Sequence, residues 1–294
     1  MEKLLECVPN FSEGRNKKTI SAILNAIKKT PHVKVFNLHS DIDHNRSVIT
    51  FIGEPKAVIN AAFAATQKAS QSINLNLHKG VHPRIGSTDV IPLIPIKNIS
   101  EKEAILLARK LGKRIGEELK IPVYLYEKAA LKKSLKALPE IRKGGYENLK
   151  QKISTPLFAP DFGPKKISSA GATVIGVRDI LVAFNINLKN ANEKIAKKIA
   201  SEIREKNGGL ASVRALGFNL KKQKKIQISI NLLNYKKTSV KKVFDTVKKL
   251  AKKYKATVLE SELIGCIPAS ALKNTSPKYL KIKNFKKSQI LADI

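Results

Sequence analysis

The order of strands and helices along the chain is the strongest constraint on its fold. Alternating apolar and polar residues predict strands, and apolar residues every three to four positions predict helices. Residues 4–96 give the order β-α-β-β-α-β, and one more helix and strand follow up to residue 126. Residues 180–264 give the order β-α-β-β-α-β again, without an obvious sequence repeat. This order is typical of the ferredoxin-like, or split βαβ, pattern.

The whole chain is therefore predicted to be α/β, of the α+β kind, with two ferredoxin-like βαββαβ subdomains. Four-stranded sheets with helices on one face leave the other face bare, so we expect the sheets to be stacked or facing, with the helices outside. The boundary is predicted near Arg178, which gives an N-terminal subdomain over residues 1–178 and a C-terminal subdomain over residues 179–294.

Local signals add detail to this plan. Asn16 and Ser100 are good N-caps for two helices, and Glu103 completes a capping box with Ser100. The strand at residues 90–96 contains proline, so it is expected to be irregular or at a sheet edge. Residues 129–171 contain many prolines and glycines and are predicted to form a long irregular loop. The lysine-rich end of the chain is expected to be a tail that packs or frays.

The charge of the chain is strongly positive, with 56 Lys and Arg against 23 Asp and Glu and a net charge of +33. Such a field attracts polyanions or anionic metabolites. A solvated lysine surface is the alternative, because the lysines are scattered through every predicted helix. Nucleic-acid binders more often concentrate charge on one face, favour arginine and use aromatic stacking. Tryptophan is absent and aromatic residues make up 5%, so nucleic acid is not expected as a partner.

Cysteine usage and apolar segments indicate the compartment. Cys7 and Cys266 are far apart, which argues against a zinc site or a disulfide framework and fits a reducing compartment. The N-terminal stretch lacks the long apolar segment of a secretory signal, and no apolar run approaches the roughly 20 residues of a spanning helix. We expect a cytoplasmic protein without a membrane partner.

A loop at residues 78–86 carries four candidate side chains: His78, Lys79, His82 and Arg84. Two histidines four positions apart could bind a metal on one helix face, but Gly80 and Pro83 interrupt any helix there. No third ligand with metal spacing is evident, so no metal is expected. A histidine can act as general base and then as acid, while the neighbouring cations could bind carboxylates. The residues alone leave a catalytic loop and a basic turn as open alternatives.

Two further segments carry candidate chemistry. The acids and imidazoles of residues 39–46 could orient a base or bind a cation, and a polar hairpin using Asp and Asn for turn chemistry is the alternative. The glycines and backbone NH groups of residues 161–171 suit a planar or anionic ligand lying close to the main chain. Neither segment defines a reaction alone.

Seven stretches, spread in order over essentially the whole chain, resemble one known family. They are CVPNFSEG (7–14), NR (45–46), HKGVHPRIG (78–86), DV (89–90), PVYLY (122–126), APDFGP (159–164) and AFNINL (183–188). The chain resembles glutamate formimidoyltransferase, the formiminotransferase domain of formiminotransferase–cyclodeaminase. No residues remain for a cyclodeaminase domain, so a stand-alone transferase is expected.

The resemblance implies an activity and its ligands. The family transfers the formimidoyl group of N-formimidoylglutamate to tetrahydrofolate in histidine breakdown, and its two α/β subdomains have stacked sheets. Tetrahydrofolate would be a co-substrate, with no tightly bound cofactor, and the chain would form a homodimer. Formyl transfer with 5-formyltetrahydrofolate on the same site is one alternative. A basic nucleic-acid-binding protein is an alternative from another class.

The resemblance also implies the site residues. It places the catalytic histidine at His82, with Lys79, Arg84 and Arg46 as candidates for binding substrate carboxylates. Where the family has an aspartate that assists the histidine, this chain has His39, so Asp41 or Asp43 would take that role. The resemblance places the folate loop at Gly163–Gly171, and the candidates for binding folate are Asp161, Gly163, Pro164, Lys165, Lys166, Ile167, Ser168, Ser169, Ala170 and Gly171.

Overall fold

Residues 2–291 are described by a computed structural model, so Met1 and the last three residues of the predicted tail lie outside the described residues. The chain divides into two compact units, Met1–Arg178 and Asp179–Ile294. Helices and sheets occur in both units, which confirms the mixed α/β class. The predicted stacking of the two sheets stays a prediction.

The first unit is built on one sheet of seven strands, whereas four were predicted for each sheet. Its strands are β1 (Leu4–Cys7), β2 (Asn10–Phe11), β3 (Val33–Asp41), β4 (Arg46–Gly53), β5 (Thr88–Lys97), β6 (Val123–Glu127) and β7 (Thr173–Val177). Its helices are α1 (Lys17–Lys28), α2 (Pro55–Ser72), α3 (Glu101–Glu118), α4 (Leu138–Ile141) and α5 (Gly145–Lys152), with a 3-10 turn at Lys133–Leu135.

Antiparallel and parallel pairing meet in this sheet. β1 and β2 are two pieces of one broken strand, because both pair antiparallel with β4 on one side and with β5 on the other. β3 continues the antiparallel side by pairing with β4. On the other side β5 pairs parallel with β7, and β7 pairs parallel with β6. The order across the sheet is therefore β3, β4, β1 with β2, β5, β7, β6.

Apolar side chains cover both faces of the parallel side of the sheet. On one face Ile91, Leu125 and Ile175 belong to the core formed with α1, α2 and α3. On the other face Val90 and Tyr124 pack with the segment that contains α4 and α5. Covered faces of this kind are typical of parallel strands. The caps predicted for α1 and α3 are confirmed: Asn16 accepts from the Thr19 NH, and Ser100 forms a capping box with Glu103.

The proline-containing strand was predicted to be irregular or at an edge: the edge position was wrong, because β5 is central, and the irregular pairing is confirmed by register shifts in its ladders with β1 and β2. Pro92 stands opposite the break between β1 and β2, where the ladder does not use the NH that proline lacks. Its carbonyl still accepts from the Val8 NH at 3.2 Å.

The prediction of an irregular loop over residues 129–171 was also wrong in part. The segment contains α4 and α5, and α5 buries Tyr146 and Leu149. β7, which follows at once, was not predicted, because its five residues form a short apolar run without alternation.

The second unit has a four-stranded sheet. Its elements are β8 (Val182–Lys189), α6 (Glu193–Ile203), β9 (Val213–Leu220), β10 (Lys225–Leu232), α7 (Val240–Lys253), β11 (Thr257–Ile264), β12 (Ile267–Pro268) and β13 (Ile290–Leu291), with short 3-10 turns at Glu205–Asn207, Ala269–Leu272 and Lys287–Gln289. The strand order is β11, β8, β10, β9. β13 pairs parallel with β12, so the tail packs up to residue 291. Within residues 2–291, no helix is both long and apolar enough to cross a membrane.

Candidate active site

Three loops of the first unit meet at the tip of the β3–β4 hairpin. Asn45, at this tip, accepts from the Gly14 NH at 2.9 Å and donates to the Lys79 carbonyl at 3.1 Å. A Cβ on Gly80 would stand 2.3 Å from the His44 carbonyl oxygen, so only glycine allows this approach. One asparagine therefore joins the loop after β2 and the loop before β5 through the hairpin.

A small cleft opens where these loops meet. Its lining residues are Ser12, His44, Asn45, Arg46, His78, His82 and Arg84. The space between these side chains is about 150 Å³ with open solvent included, and it does not admit a water molecule. The side chains therefore nearly fill the cleft in this structure.

His82 is held in this cleft by backbone and cation contacts. Its Nδ1 lies 2.7 Å from the Pro83 carbonyl oxygen, so a neutral ring donating there keeps its lone pair on Nε2. Nη1 of Arg46 lies 2.6 Å from Nδ1 and 3.1 Å from Nε2. The His44 ring stands edge-on, 5.7 Å away between centroids. Burial, followed by the charges of Arg46 and Arg142, holds the pKa of His82 well below its usual value. The imidazole is therefore neutral at pH 7, as a general base must be.

Arg46 belongs to a network around one buried carboxylate. Nη2 of Arg142 lies 2.5 Å from Oδ2 of Asp89, and Nη2 of Arg46 lies 3.6 Å from the same oxygen. The other carboxylate oxygen of Asp89 accepts from the Ile85 NH at 2.9 Å. Arg46 also donates from Nε to Oδ1 of Asn10 at 2.8 Å. Burial and the nearby Arg142 lower the pKa of Arg46 to about 9 despite Asp89, so Arg46 stays cationic at neutral pH.

His78 and Arg84 form a second histidine–arginine pair with a different setting. Nε2 of His78 lies 2.9 Å from the Asn45 carbonyl oxygen, and its Nδ1 accepts from Nε of Arg84 at 3.0 Å. Arg84 also binds both carboxylate oxygens of Glu147 on α5, at 3.0 and 2.8 Å. Burial is the largest cause that lowers the pKa of His78. For Arg84 to bind a substrate carboxylate, Glu147 would have to move away.

The other residues predicted near His82 have varied surroundings. Lys79 is exposed in the loop of residues 78–86. Oδ1 of Asp41 accepts from the NH groups of Asp43 at 2.9 Å and His44 at 2.7 Å, which is the turn chemistry that the sequence left open. Asp43 is buried in the same turn, and His39 is half-buried in β3.

The beginning of the predicted folate loop is fixed to β6. Oδ2 of Asp161 accepts from the Leu125 NH at 2.7 Å, and burial raises the pKa of Asp161. Gly163 has a φ of +83°, and a Cβ there would stand 2.5 Å from the Ile121 carbonyl oxygen. Pro164 follows it, and Lys165 and Lys166 are exposed.

The end of the predicted folate loop lies beside Gly86 and Ser87, where the loop that carries His82 ends. The Ser169 carbonyl accepts from the Leu75 NH at 2.8 Å, and the Ala170 carbonyl accepts from the Ser87 NH at 2.8 Å. Gly171 forms an isolated bridge with Gly86. Ile167 and Ser168 precede this contact, and the Ser168 carbonyl accepts from the Tyr146 hydroxyl at 3.2 Å. The structure thus brings the end of the predicted folate loop close to the segment that carries His82.

Three site residues were missed by the sequence reasoning: Asn10, Asp89 and Arg142. Asn10 and Asp89 occur in the stretches that carry the family resemblance, but nothing in their spacing indicates contact with Arg46. Arg142 lies in the segment that was predicted to be irregular. Among the described residues, no group of three or more His, Cys, Asp or Glu could hold a metal ion.

A neutral imidazole among guanidinium groups on an α/β unit is the arrangement expected of an acid–base site for an anionic ligand. Comparison with known proteins identifies the family. The formiminotransferase domain, N-terminal subdomain, matches residues 4–178, and the formiminotransferase domain matches residues 183–291. The chain belongs to the formiminotransferase family.

Its relatives include stand-alone and longer proteins. It is 44% identical over 290 residues to glutamate formimidoyltransferase of Thermoplasma acidophilum, covering 98% of this chain and 96% of that protein. It is 40% identical over 286 residues to glutamate formimidoyltransferase of Streptococcus pyogenes, covering 97% and 96%. Formimidoyltransferase-cyclodeaminase of Mus musculus is 41% identical over 286 residues, which are 95% of this chain and 53% of the mouse protein.

Proposed function

We propose that the chain transfers the formimidoyl group of N-formimidoyl-L-glutamate to tetrahydrofolate, giving 5-formimidoyltetrahydrofolate and glutamate during histidine degradation. The observation that carries this proposal is the neutral His82 imidazole, held against Arg46 in a cleft of a formiminotransferase-family chain. The near full-length likeness to glutamate formimidoyltransferases supports the choice of substrates.

In the proposed reaction His82 first accepts a proton and then donates the same proton. N5 of tetrahydrofolate attacks the formimidoyl carbon, and the new C–N bond gives a tetrahedral intermediate. Nε2 of His82 accepts the N5 proton and then donates it to the nitrogen of the departing glutamate as the old C–N bond breaks. The ring returns to its neutral form, so no net proton is consumed by the protein.

The remaining residues have proposed binding and supporting roles. Arg46, Lys79 and Arg84 are proposed to bind substrate carboxylates, since a guanidinium can pair with a carboxylate in bidentate fashion. The loop of residues 161–171 is proposed to bind the folate, with its exposed lysines near the anionic tail. His39, Asp41 and Asp43 remain the candidates for acid–base support of His82.

The proposal includes the setting of the enzyme. Tetrahydrofolate is a co-substrate, which leaves as 5-formimidoyltetrahydrofolate after each turnover. No tightly bound cofactor is required for the proton transfers described. The chain is proposed to work in the cytoplasm as a homodimer. Its positive field would attract glutamate and folate, which are both anionic.

The test is a transfer assay with purified protein, tetrahydrofolate and N-formimidoyl-L-glutamate, followed by mass spectrometry of the folate product. We expect 5-formimidoyltetrahydrofolate and glutamate in equal amounts, with none formed when either substrate is omitted. A parallel assay with N-formyl-L-glutamate measures formyl transfer. Faster turnover of the formyl donor, or no folate product from either donor, would contradict the proposal.

A further inference from the structure

The cluster around Asp89 contains more positive than negative charge. The side chain of Asp89 is 2% exposed and faces both Arg46 and Arg142, whose side chains are 13% and 12% exposed. One carboxylate between two guanidinium groups leaves one positive charge that these three residues do not balance. Nε of Arg142 is buried and has no hydrogen-bond partner among the described residues. This arrangement suits a second carboxylate, supplied by a ligand.

The same cluster disfavours the proton transfer that is proposed for His82. Nη1 of Arg46 lies 2.6 Å from Nδ1 and 3.1 Å from Nε2, so a cationic donor lies against the ring that has to accept a proton. The charges facing the ring are Arg46 from β4 and Arg142 from the segment after α4, with His44 from the hairpin tip as a further titratable neighbour. Each of these groups disfavours a protonated imidazole. Without a ligand the ring is therefore neutral but a weak base.

We propose that Arg46 and Arg142 together bind a carboxylate of the amino-acid substrate, and that this binding activates His82 by drawing the Arg46 guanidinium away from the ring and neutralising it. The inference rests on the proposed function, because it assigns the carboxylate to the glutamate part of that substrate. Asp89 contacts both arginines through one carboxylate oxygen and thereby keeps both guanidinium groups at the same place despite their mutual repulsion. The base then becomes competent only when the substrate that needs it is present.

The physical reason for the coupling is electrostatic and reciprocal. A carboxylate placed within about 4–6 Å of the ring favours the protonated imidazole and raises its pKa by about 1–3 units. By linkage, a protonated His82 must bind the carboxylate more tightly than a neutral His82 does, by the same factor. Arg84, which also lines the cleft, is paired with Glu147, so a substrate carboxylate would bind there only after Glu147 had moved away.

The test is a pH titration of the histidine ring signals by NMR, with and without saturating L-glutamate as the probe. The chain has five histidines, so the variant His82→Gln assigns the relevant signal. We expect glutamate to raise the pKa of His82 by about 1–3 units. In Arg46→Gln the pKa of the free protein should be higher than in the wild type, and the shift caused by glutamate should be much smaller. Lys113→Gln removes one exposed positive charge from α3 and should behave as the wild type.

Arg142→Gln keeps Arg46 beside the ring and gives an independent measurement if Arg46→Gln does not fold. We expect glutamate to bind about tenfold more weakly to this variant, which is about 1.4 kcal/mol, with a smaller shift of His82. A wild-type pKa that glutamate leaves unchanged would overturn the inference, even in a protein with full transferase activity. A glutamate-induced shift in a protein without transferase activity would support this inference and reject the proposed function.

Discussion

Two histidine–arginine pairs, His78 with Arg84 and His82 with Arg46, use the same residue types for different purposes. His78 has a hydrogen-bond partner at both ring nitrogens, and its arginine is paired with a carboxylate of the protein. Both ring nitrogens of His82 lie near Nη1 of Arg46, and Nδ1 also faces the Pro83 carbonyl. Arg46 shares the Asp89 carboxylate with Arg142. The arginine of the first pair thus has a carboxylate of its own, whereas the arginine of the second pair shares one.

This difference teaches that neutrality alone does not identify a catalytic histidine. The pKa values of both rings are lowered, mainly by burial. What separates them is whether the neighbouring arginine has a carboxylate of its own, as Arg84 has in Glu147, or shares one, as Arg46 does. The following predictions test this distinction by changing one pair at a time.

Loss of the His82 imidazole should have the largest effect. In His82→Gln we expect the turnover number for formimidoyl transfer to fall by about 10²–10⁴-fold, because the proton relay is removed. Circular dichroism and thermal unfolding should show a folded protein. His32→Asn changes an exposed histidine at a left-handed position that asparagine tolerates, and it serves as the control. A folded His82→Gln protein with wild-type turnover would remove the distinction between the two pairs.

Loss of the His78 imidazole should reduce stability rather than catalysis. His78→Phe keeps a ring but leaves the Asn45 carbonyl and Nε of Arg84 without their partner, which costs about 1–3 kcal/mol of unfolding free energy. Urea unfolding at pH 7 measures this loss. The turnover number should change by less than about tenfold. A larger fall in turnover than in His82→Gln would show that the roles of the two histidines are reversed.

Acid should destabilise the protein through both rings. A histidine whose folded pKa is lowered contributes stability that is present above the unfolded pKa of about 6.5 and is lost as the pH falls towards the folded pKa. Between about pH 6.5 and 5.5 each such ring contributes a loss of up to about 1.4 kcal/mol. Urea unfolding at these two pH values should show a smaller loss in His82→Gln than in the wild type. Equal losses would mean that His82 titrates alike in the folded and unfolded states.

Removal of the carboxylate that pairs with Arg84 should have the smallest effect. The Glu147 side chain is 67% exposed, so Glu147→Gln should lower the unfolding free energy by less than about 1 kcal/mol. Glu117→Gln breaks another exposed ion pair, on α3, and is the matched control. The Michaelis constant for N-formimidoylglutamate is the sharper measurement. A value that falls in Glu147→Gln alone would indicate that substrate competes with Glu147 for Arg84.

Much of the fold could be predicted from local signals. The helix caps at Asn16 and Ser100 depend on residues within one turn, and the alternation in β8 depends on residues two apart, so the sequence carries them directly. The central place of β5 was missed because the proline rule considers one strand at a time. Here the neighbouring strand is broken at Pro9, and this break decides the outcome.

The site was predicted only as far as each residue could be interpreted alone. The loop with His78 and His82 was recognised from its composition, and the family resemblance selected His82. The network of Asn10, Asp89 and Arg142 was missed, because its members come from three segments that meet only in the folded unit. Long-range electrostatic contacts of this kind leave no periodic pattern in a sequence.

The position of β7 has a consequence for the order of folding. β7 follows β6 in the chain, yet it lies between β5 and β6, and β6 pairs with β7 alone among the described strands. During synthesis β6 therefore emerges before its partner exists. Pairing between distant segments is slow, because the entropy cost of closing the loop arises before the stabilising contacts form. We expect the antiparallel half to form first and the parallel half to close after residue 177 has left the ribosome.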